Sequence, residues 1–248
     1  MANFLPLKNY LLYCIGKLVD QHQLSSPFLD VGCGIGDVAE YLARKGWAGK
    51  AIDISADALD QARIKLKHFP SIELTSQNLY ELTGTYQTVF LMDILEHLPD
   101  DESALKKAAE LTAKNGFVIL AIPSNPAKEW RWDDDMYGHV RRYSEEDIRQ
   151  KLTNCGLQPV LYWDFTFPVF WLMRQLQMKL TRNNTLSKKD LQSKTKLSGL
   201  RPPWQESFLS SFLSKLLILW KFIYIIQFRF FKTKIACGHE MIVLAQKV

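Results

Sequence analysis

Leu29-Asp30-Val31-Gly32-Cys33-Gly34-Ile35-Gly36 is the stretch from which the rest of the chain can be read. The apolar run 28–31 has strand character and stops at Gly32. Val38, Tyr41 and Leu42 then recur at helical spacing over 37–45, and Arg44-Lys45-Gly46 closes that helix. A glycine loop between a strand end and a helix start lets the backbone turn sharply and approach a ligand closely. A dinucleotide fingerprint would carry Gly or Ala at position 37. Asp37 would instead set a carboxylate against a pyrophosphate at the positive end of the helix. The loop therefore suits a nucleoside without phosphates. Asp53 ends the next apolar run, 21 residues beyond Gly32, where a carboxylate can accept from two ribose hydroxyls.

Outward from the loop, short β-like runs alternate with helical patterns. Strands are predicted over 51–54, 72–75, 89–92, 117–122, 157–165 and 240–247. Between them, Ser55 can cap a helix with Leu59, Ala62 and Leu66 on one face, a second helix is predicted over 101–113, and Ser144 with Asp147 opens a third. The continuous apolar run 89–92 is that of a strand buried on both faces of a parallel sheet. Alternation of this kind is the pattern of an open α/β sheet with helices on both sides.

Four elements in this order resemble the class I S-adenosylmethionine-dependent methyltransferases. Residues 29–36 resemble the family's glycine-rich motif, Asp53 its acidic ribose position, Asp93-Ile94-Leu95-Glu96-His97-Leu98 its fourth-strand segment, and 116–123 its fifth strand. The resemblance implies a Rossmann-like fold, a seven-stranded mixed sheet with an antiparallel last strand, and S-adenosylmethionine as cofactor. It further implies that Asp30 supports the methionine ammonium and that Gly32 and Gly34, within a loop completed by Cys33 and Gly36, line the methionine moiety. Asp53 would bind the ribose, with Ile54 packing on the adenine, and Asp93 would close the pocket. Asn78-Leu79 departs from the family's usual Asp before an apolar residue, although an Asn oxygen can still accept from the adenine amino group.

Gly138-His139-Val140-Arg141-Arg142-Tyr143-Ser144 follows the fifth strand and resembles a stretch found near the acceptor pocket in some of these enzymes. His139 is the candidate general base and Tyr143 a further candidate; the alternative is that both close a lid. His97 reads as structural. Methyl transfer from a sulfonium needs no metal, and the linear spacing shows no ligand set, so none is expected.

A chain of 248 residues makes one domain with an elaboration. Its four scattered cysteines exclude a zinc ribbon, a redox dithiol or a disulfide scaffold, and fit a reducing compartment. No secretory signal is read at the N-terminus, so the expected location is cytoplasmic. Up to residue 165 the chain carries 17 basic and 23 acidic residues; from 166 onward it carries 14 and 3. The methyltransferase domain is accordingly assigned to 1–165 and 235–248, with 166–234 a basic, aromatic-rich helical insertion before the last strand. In its segment 208–231, Phe212, Leu216, Leu219, Ile223, Ile226 and Phe230 share one side of a helical wheel, and Ser211, Ser214, Lys215, Lys221 and Arg229 the other. That pattern suits an interfacial helix against an anionic membrane, or an extra core helix or dimer contact. The acceptor expected is a small molecule or a lipid-linked one, such as a quinone precursor or a lipid-linked glycan, reached at the cytoplasmic membrane face. Nucleic acid is disfavoured because basic loop and aromatics are segregated. An RNA methyltransferase and a non-catalytic cofactor-binding or membrane-docking module are the alternatives.

Overall fold

A computed structural model describes residues 6–181 and 217–248. Its sheet holds seven strands in the order β3-β2-β1-β4-β5-β7-β6. These are β1 (Phe28–Val31), β2 (Gly49–Ile52), β3 (Ile72–Thr75), β4 (Tyr86–Met92), β5 (Thr112–Pro123), β6 (Leu157–Asp164) and β7 (Glu240–Lys247). β7 runs antiparallel to both neighbours and the other pairings are parallel, as the family resemblance implied. Val89, Phe90 and Leu91 of β4 are completely buried, because helices cover both faces of the sheet.

On one face lie α1 (Pro6–Gln21) and α2 (Asp37–Arg44), together with the two described helices of the insertion, α8 (Val169–Thr181) and α9 (Leu217–Phe231). On the other lie α4 (Asp101–Leu111) and α7 (Glu145–Asn154), with the short helices α5 (Pro126–Glu129) and α6 (Trp132–Tyr137) between them in sequence. Helix α3 (Ala56–Leu66) starts at Ser55, whose hydroxyl accepts from Ala58 N, and α7 at Ser144, whose hydroxyl accepts from Asp147 N, as their sequences suggested. Helix α4 stops two residues short of expectation: the Thr112 hydroxyl turns back onto the Ala108 carbonyl and β5 begins there. Helix α1 was not anticipated. Tyr10, Leu11, Cys14, Ile15, Leu18 and Val19 form its buried stripe.

The insertion leaves the sheet after β6 and returns into β7. The wheel's apolar side proves to be only half of what α9 offers. Trp220, Tyr224 and Phe228 turn inward instead, stacking Tyr224 on Tyr10 at 5.1 Å, Trp220 on Phe170 at 5.9 Å, and setting Phe228 edge-on to Trp163 at 4.9 Å. Leu219, Phe222, Ile225, Ile226 and Phe230 remain exposed beside Lys221 and Arg229. Residues 208–216 of the wheel and the basic stretch 183–199 lie outside the described residues. Among the described residues no helix is long and apolar enough to cross a membrane.

Candidate active site

The parallel strands β1, β2, β4 and β5 deliver their C-terminal ends to one edge, where an open α/β sheet holds its ligands. After β1 the chain turns through Gly32, Gly34 and Gly36, all at positive φ. Gly32 cannot be replaced cheaply: a Cβ there would meet Ile94 Cδ1 at 2.0 Å. Beneath the loop Asp30 is buried, and its Oδ2 has no protein partner. Burial, reinforced by the charge of Asp53, pushes its carboxyl up to about 7. A cationic group arriving over the loop would satisfy that oxygen.

Asp53 follows β2 directly. Its two oxygens accept from Gly34 N and Ser55 N, both at 2.8 Å. A carboxylate has about four lone-pair directions, so two remain for ribose hydroxyls. Ile54 stands exposed beside it, available to an adenine face. Asn78 caps the short helix Leu79–Glu81: its Oδ1 accepts from Tyr80 N at 3.1 Å and keeps a second lone pair. Leu79 is buried. Cys33 is half-buried with its thiol toward the Gly34 carbonyl, and burial raises its pKa, so it stays a neutral filler of the turn. Asp37 is ion-paired with both Lys8 and Lys65, tying α1 and α3 to the loop. Despite burial, those two lysines hold its carboxyl below the usual range.

Across the crevice Asp93 follows β4 directly, held at φ 55. Its side chain reaches solvent but is crowded by protein. That desolvation, eased by His139 and Lys8, places its carboxyl at about 6. Next come Glu96 and His97, both buried, and opposite them His139 on the lid. His139 Nδ1 bonds Asp134 Oδ1 at 2.8 Å; His97 Nδ1 lies 3.3 Å from the Gly138 carbonyl and its Nε2 4.0 Å from Glu96 Oε1. The rings meet edge to face with centroids 5.0 Å apart. Burial and the neighbouring His139 press His97 down to about 4, keeping it neutral. Glu96 Oε2 has no protein partner, and burial with nearby Asp93 raises its pKa. One ligand atom from each of Glu96, His97 and His139 falls within 4.8 Å of the others. The fold thus brings His97, expected to be structural, beside His139, and gathers three side chains that could hold a metal ion and that linear spacing does not show.

Tyr143 is a further correction. It is fully buried, with its hydroxyl donating to Asp101 Oδ2 at 2.9 Å, so it fastens the lid and does not face the crevice. The lid also depends on residues not singled out in the sequence. Asp134 is fully buried and takes His139, Arg142 Nη2 and the Arg131 N–H; against the effect of burial these partners hold its carboxyl at about 2. Arg142 spans the carbonyls of Ser124 and His239. Arg174 of α8 grips Glu129 at 2.9 Å and Asp133 at 2.8 Å, joining insertion to lid. Glu240, at the start of β7, is raised to about 8 by burial and by Asp93. Only the density of charged residues over 129–142 hinted at this network in the sequence.

Residues 9–162 match a family described as a methyltransferase domain. Among curated relatives, the ubiquinone biosynthesis O-methyltransferase of Erwinia tasmaniensis is 34% identical over 107 residues, 41% of this chain and 44% of that protein. The counterpart from Serratia proteamaculans is 31% identical over 131 residues, 50% and 52%. The chain thus spans about half the length of the curated relatives it matches. Among solved structures, a putative sarcosine dimethylglycine methyltransferase from Galdieria sulphuraria superposes with TM-score 0.61 at 14% identity, over 97% of this chain and 86% of that one. The N-methyltransferase NodS of Bradyrhizobium japonicum, in complex with S-adenosyl-l-homocysteine, superposes with TM-score 0.53 at 20% identity, over 63% and 78%. The matched span takes in the glycine cradle, both acidic corners and the lid, so the chain belongs to the methyltransferase-domain family and is a class I S-adenosylmethionine-dependent methyltransferase.

Proposed function

We propose that this enzyme methylates a hydroxyl of a small apolar or lipid-linked acceptor, of the quinone-precursor kind, at an anionic membrane surface. The observation that carries the reading is the exposed side of the insertion. Leu172, Met173 and Leu176 of α8 and Leu219, Phe222, Ile225, Ile226 and Phe230 of α9 are all exposed, on helices that pack together beside the lid. Lys221 and Arg229 share that exposed side, and each basic residue near an anionic leaflet contributes about 1 kcal/mol. Oxygen is the acceptor atom named in the sequence relatives.

The cradle fits the cofactor. S-adenosylmethionine supplies an electrophilic methyl on a sulfonium whose departure leaves a neutral thioether. The free oxygen of Asp30 receives the methionine ammonium, the remaining lone pairs of Asp53 receive the ribose hydroxyls, and Gly32 leaves room for the methionine chain. Alignment of hydroxyl and methyl can supply up to roughly 7–11 kcal/mol of the barrier. The hydroxyl's proton departs to His139, the partly exposed member of the Glu96–His97–His139 group.

The test incubates the enzyme with methyl-labelled cofactor and either membrane lipid extract, water-soluble extract or total RNA, and follows flotation with anionic or neutral vesicles. Label is expected in the lipid extract. Wild type should float with anionic vesicles and be partly released by salt, while Phe222→Glu/Ile226→Glu/Phe230→Glu stays in the soluble fraction. Label confined to RNA or to water-soluble compounds, or wild type that never floats, overturns the reading.

A further inference from the structure

We propose that Glu240 selects the acceptor, its carboxyl group hydrogen-bonding a second oxygen carried on the same ring or chain as the hydroxyl that is methylated. Glu240 opens β7 opposite Pro123 at the end of β5, so it stands on the edge where the parallel strands present the cofactor cradle. In the register of the sheet Met92 pairs with Ala121, and Ala121 with Ile242. Asp93 and Glu240 are therefore within one residue of the same level, two strand spacings apart. Neighbouring strands lie about 4.8 Å from one another, which separates the two backbones by roughly 10 Å. One small ring fits between side chains that reach into such a gap.

The surroundings leave this carboxyl without a donor. Its side chain is 26% exposed, and the His239 imidazole comes no nearer than 3.9 Å, beyond hydrogen-bond length. The two arginines within electrostatic reach are already engaged. Arg142 holds Asp134 and the carbonyls of Ser124 and His239, and Arg174 holds Glu129 and Asp133. A crowded carboxyl with no partner is unfavourable unless a ligand supplies one. Tyr137 of the lid and Asp93 lie within electrostatic reach on the crevice side. The Tyr137 ring is 6.1 Å from that of His139, so an acceptor beside Tyr137 can offer its reactive hydroxyl to His139 and a second oxygen to Glu240. Burial and the charge of Asp93 disfavour ionised Glu240. An uncharged carboxyl both donates and accepts, which suits a hydroxyl or carbonyl oxygen and gives an ammonium no counter-charge.

Glu240 takes no part in bond making. The hydroxyl oxygen forms its bond to the methyl carbon as the carbon–sulfur bond breaks, the electron pair goes to sulfur, and the hydroxyl's proton goes to His139. What Glu240 adds is discrimination: an acceptor lacking the second oxygen leaves its carboxyl unpaired in a filled site, and a polar site rejects such an analogue more strongly than pocket size alone can. The strand that resumes after the insertion thereby contributes directly to specificity.

The inference rests on the hydroxyl acceptor proposed above, but it is tested by binding alone, without turnover, lipid extract or vesicles, so the two readings fail separately. Enzyme loaded with S-adenosylhomocysteine is titrated by calorimetry with phenol and with the three dihydroxybenzenes, whose second hydroxyl is adjacent, one carbon further or opposite. Wild type should bind at least one of the three about 3–10-fold more tightly than phenol, the worth of one added hydrogen bond. Glu240→Leu should bring that compound down to the affinity of phenol and leave phenol itself unchanged. Glu240→Gln, which keeps a donor and an acceptor, should hold most of the preference. Retained S-adenosylhomocysteine binding reports that each variant is folded. Wild type that does not distinguish the four compounds, a preference that survives Glu240→Leu, or a parallel loss of phenol and its dihydroxy relatives in that variant overturns the proposal.

Discussion

At the β1–β2 corner, polar groups are met by backbone close at hand: Asp53 takes the N–H groups of Ser55 and, across the strand pair, Gly34. At the β4–β5 corner, Glu96, His97, Asp134, His139, Arg142, Arg174 and Glu240 come from five separate stretches and meet side chain to side chain. The cofactor side is thus a local motif whose shape follows from glycine and turn geometry. The β4–β5 corner is a tertiary assembly, whose shape depends on the insertion and last strand being in place. Perturbing the first should erase cofactor binding. Perturbing the second should spare it and cost stability or turnover.

The sharpest way to break this contrast is Gly32→Ala. The new methyl would collide with Ile94 Cδ1 at 2.0 Å on a backbone with φ +66, adding about 1–3 kcal/mol of strain and filling the cradle. Calorimetry should find no cofactor binding, and Ile94→Ala in the same chain should restore part of it; normal binding by the single variant would show that the loop is not the cofactor seat.

Next in size is Arg174→Met, which removes the cation shared by buried Glu129 and half-buried Asp133. Breaking a buried pair this way costs roughly 3–5 kcal/mol, read as a lower denaturation midpoint. S-adenosylmethionine affinity should hold while turnover falls. Parallel loss of both would mean that lid and cofactor sites are one unit.

The smallest effect is a pH dependence. Asp30 stands near 7 in the free protein, and an ammonium partner favours its ionised form. Cofactor affinity should therefore fall about tenfold per pH unit below about 7 and level off above it. Asp30→Asn should bind weakly with no such slope. By the same linkage a carboxyl raised in the folded state makes the free protein less stable as pH climbs from about 4 to about 7. A flat affinity profile in wild type would remove Asp30 from the ammonium site.

The contrast also explains what the sequence disclosed. Strand–helix alternation, the caps at Ser55 and Ser144, and the distance from Gly32 to Asp53 are short-range signals, and each corresponds to a feature in the fold. Helix α1 carries an equally local signal, the spacing of Tyr10, Cys14, Leu18 and Val19. The meeting of His97 with the lid, whose Gly138 carbonyl lies 41 positions on, could not be read locally, because it depends on Val140 N bonding the Glu96 carbonyl across the crevice. Tyr143 looked catalytic because a phenol beside a histidine has that chemistry. Only the packing of α4 against α7 shows its hydroxyl spent on Asp101.

The register of β6 and β7 has one more consequence. Asp164 and Met241 are direct partners, so the chain leaves the sheet and re-enters it side by side. Everything between them is geometrically an overgrown hairpin loop, and lengthening such a loop costs only about 0.6 kcal/mol per doubling. Substrate range can then evolve as an exchangeable cassette: one hairpin can be traded for another of different length and polarity while β1 to β4, and the cofactor they hold, are inherited unchanged.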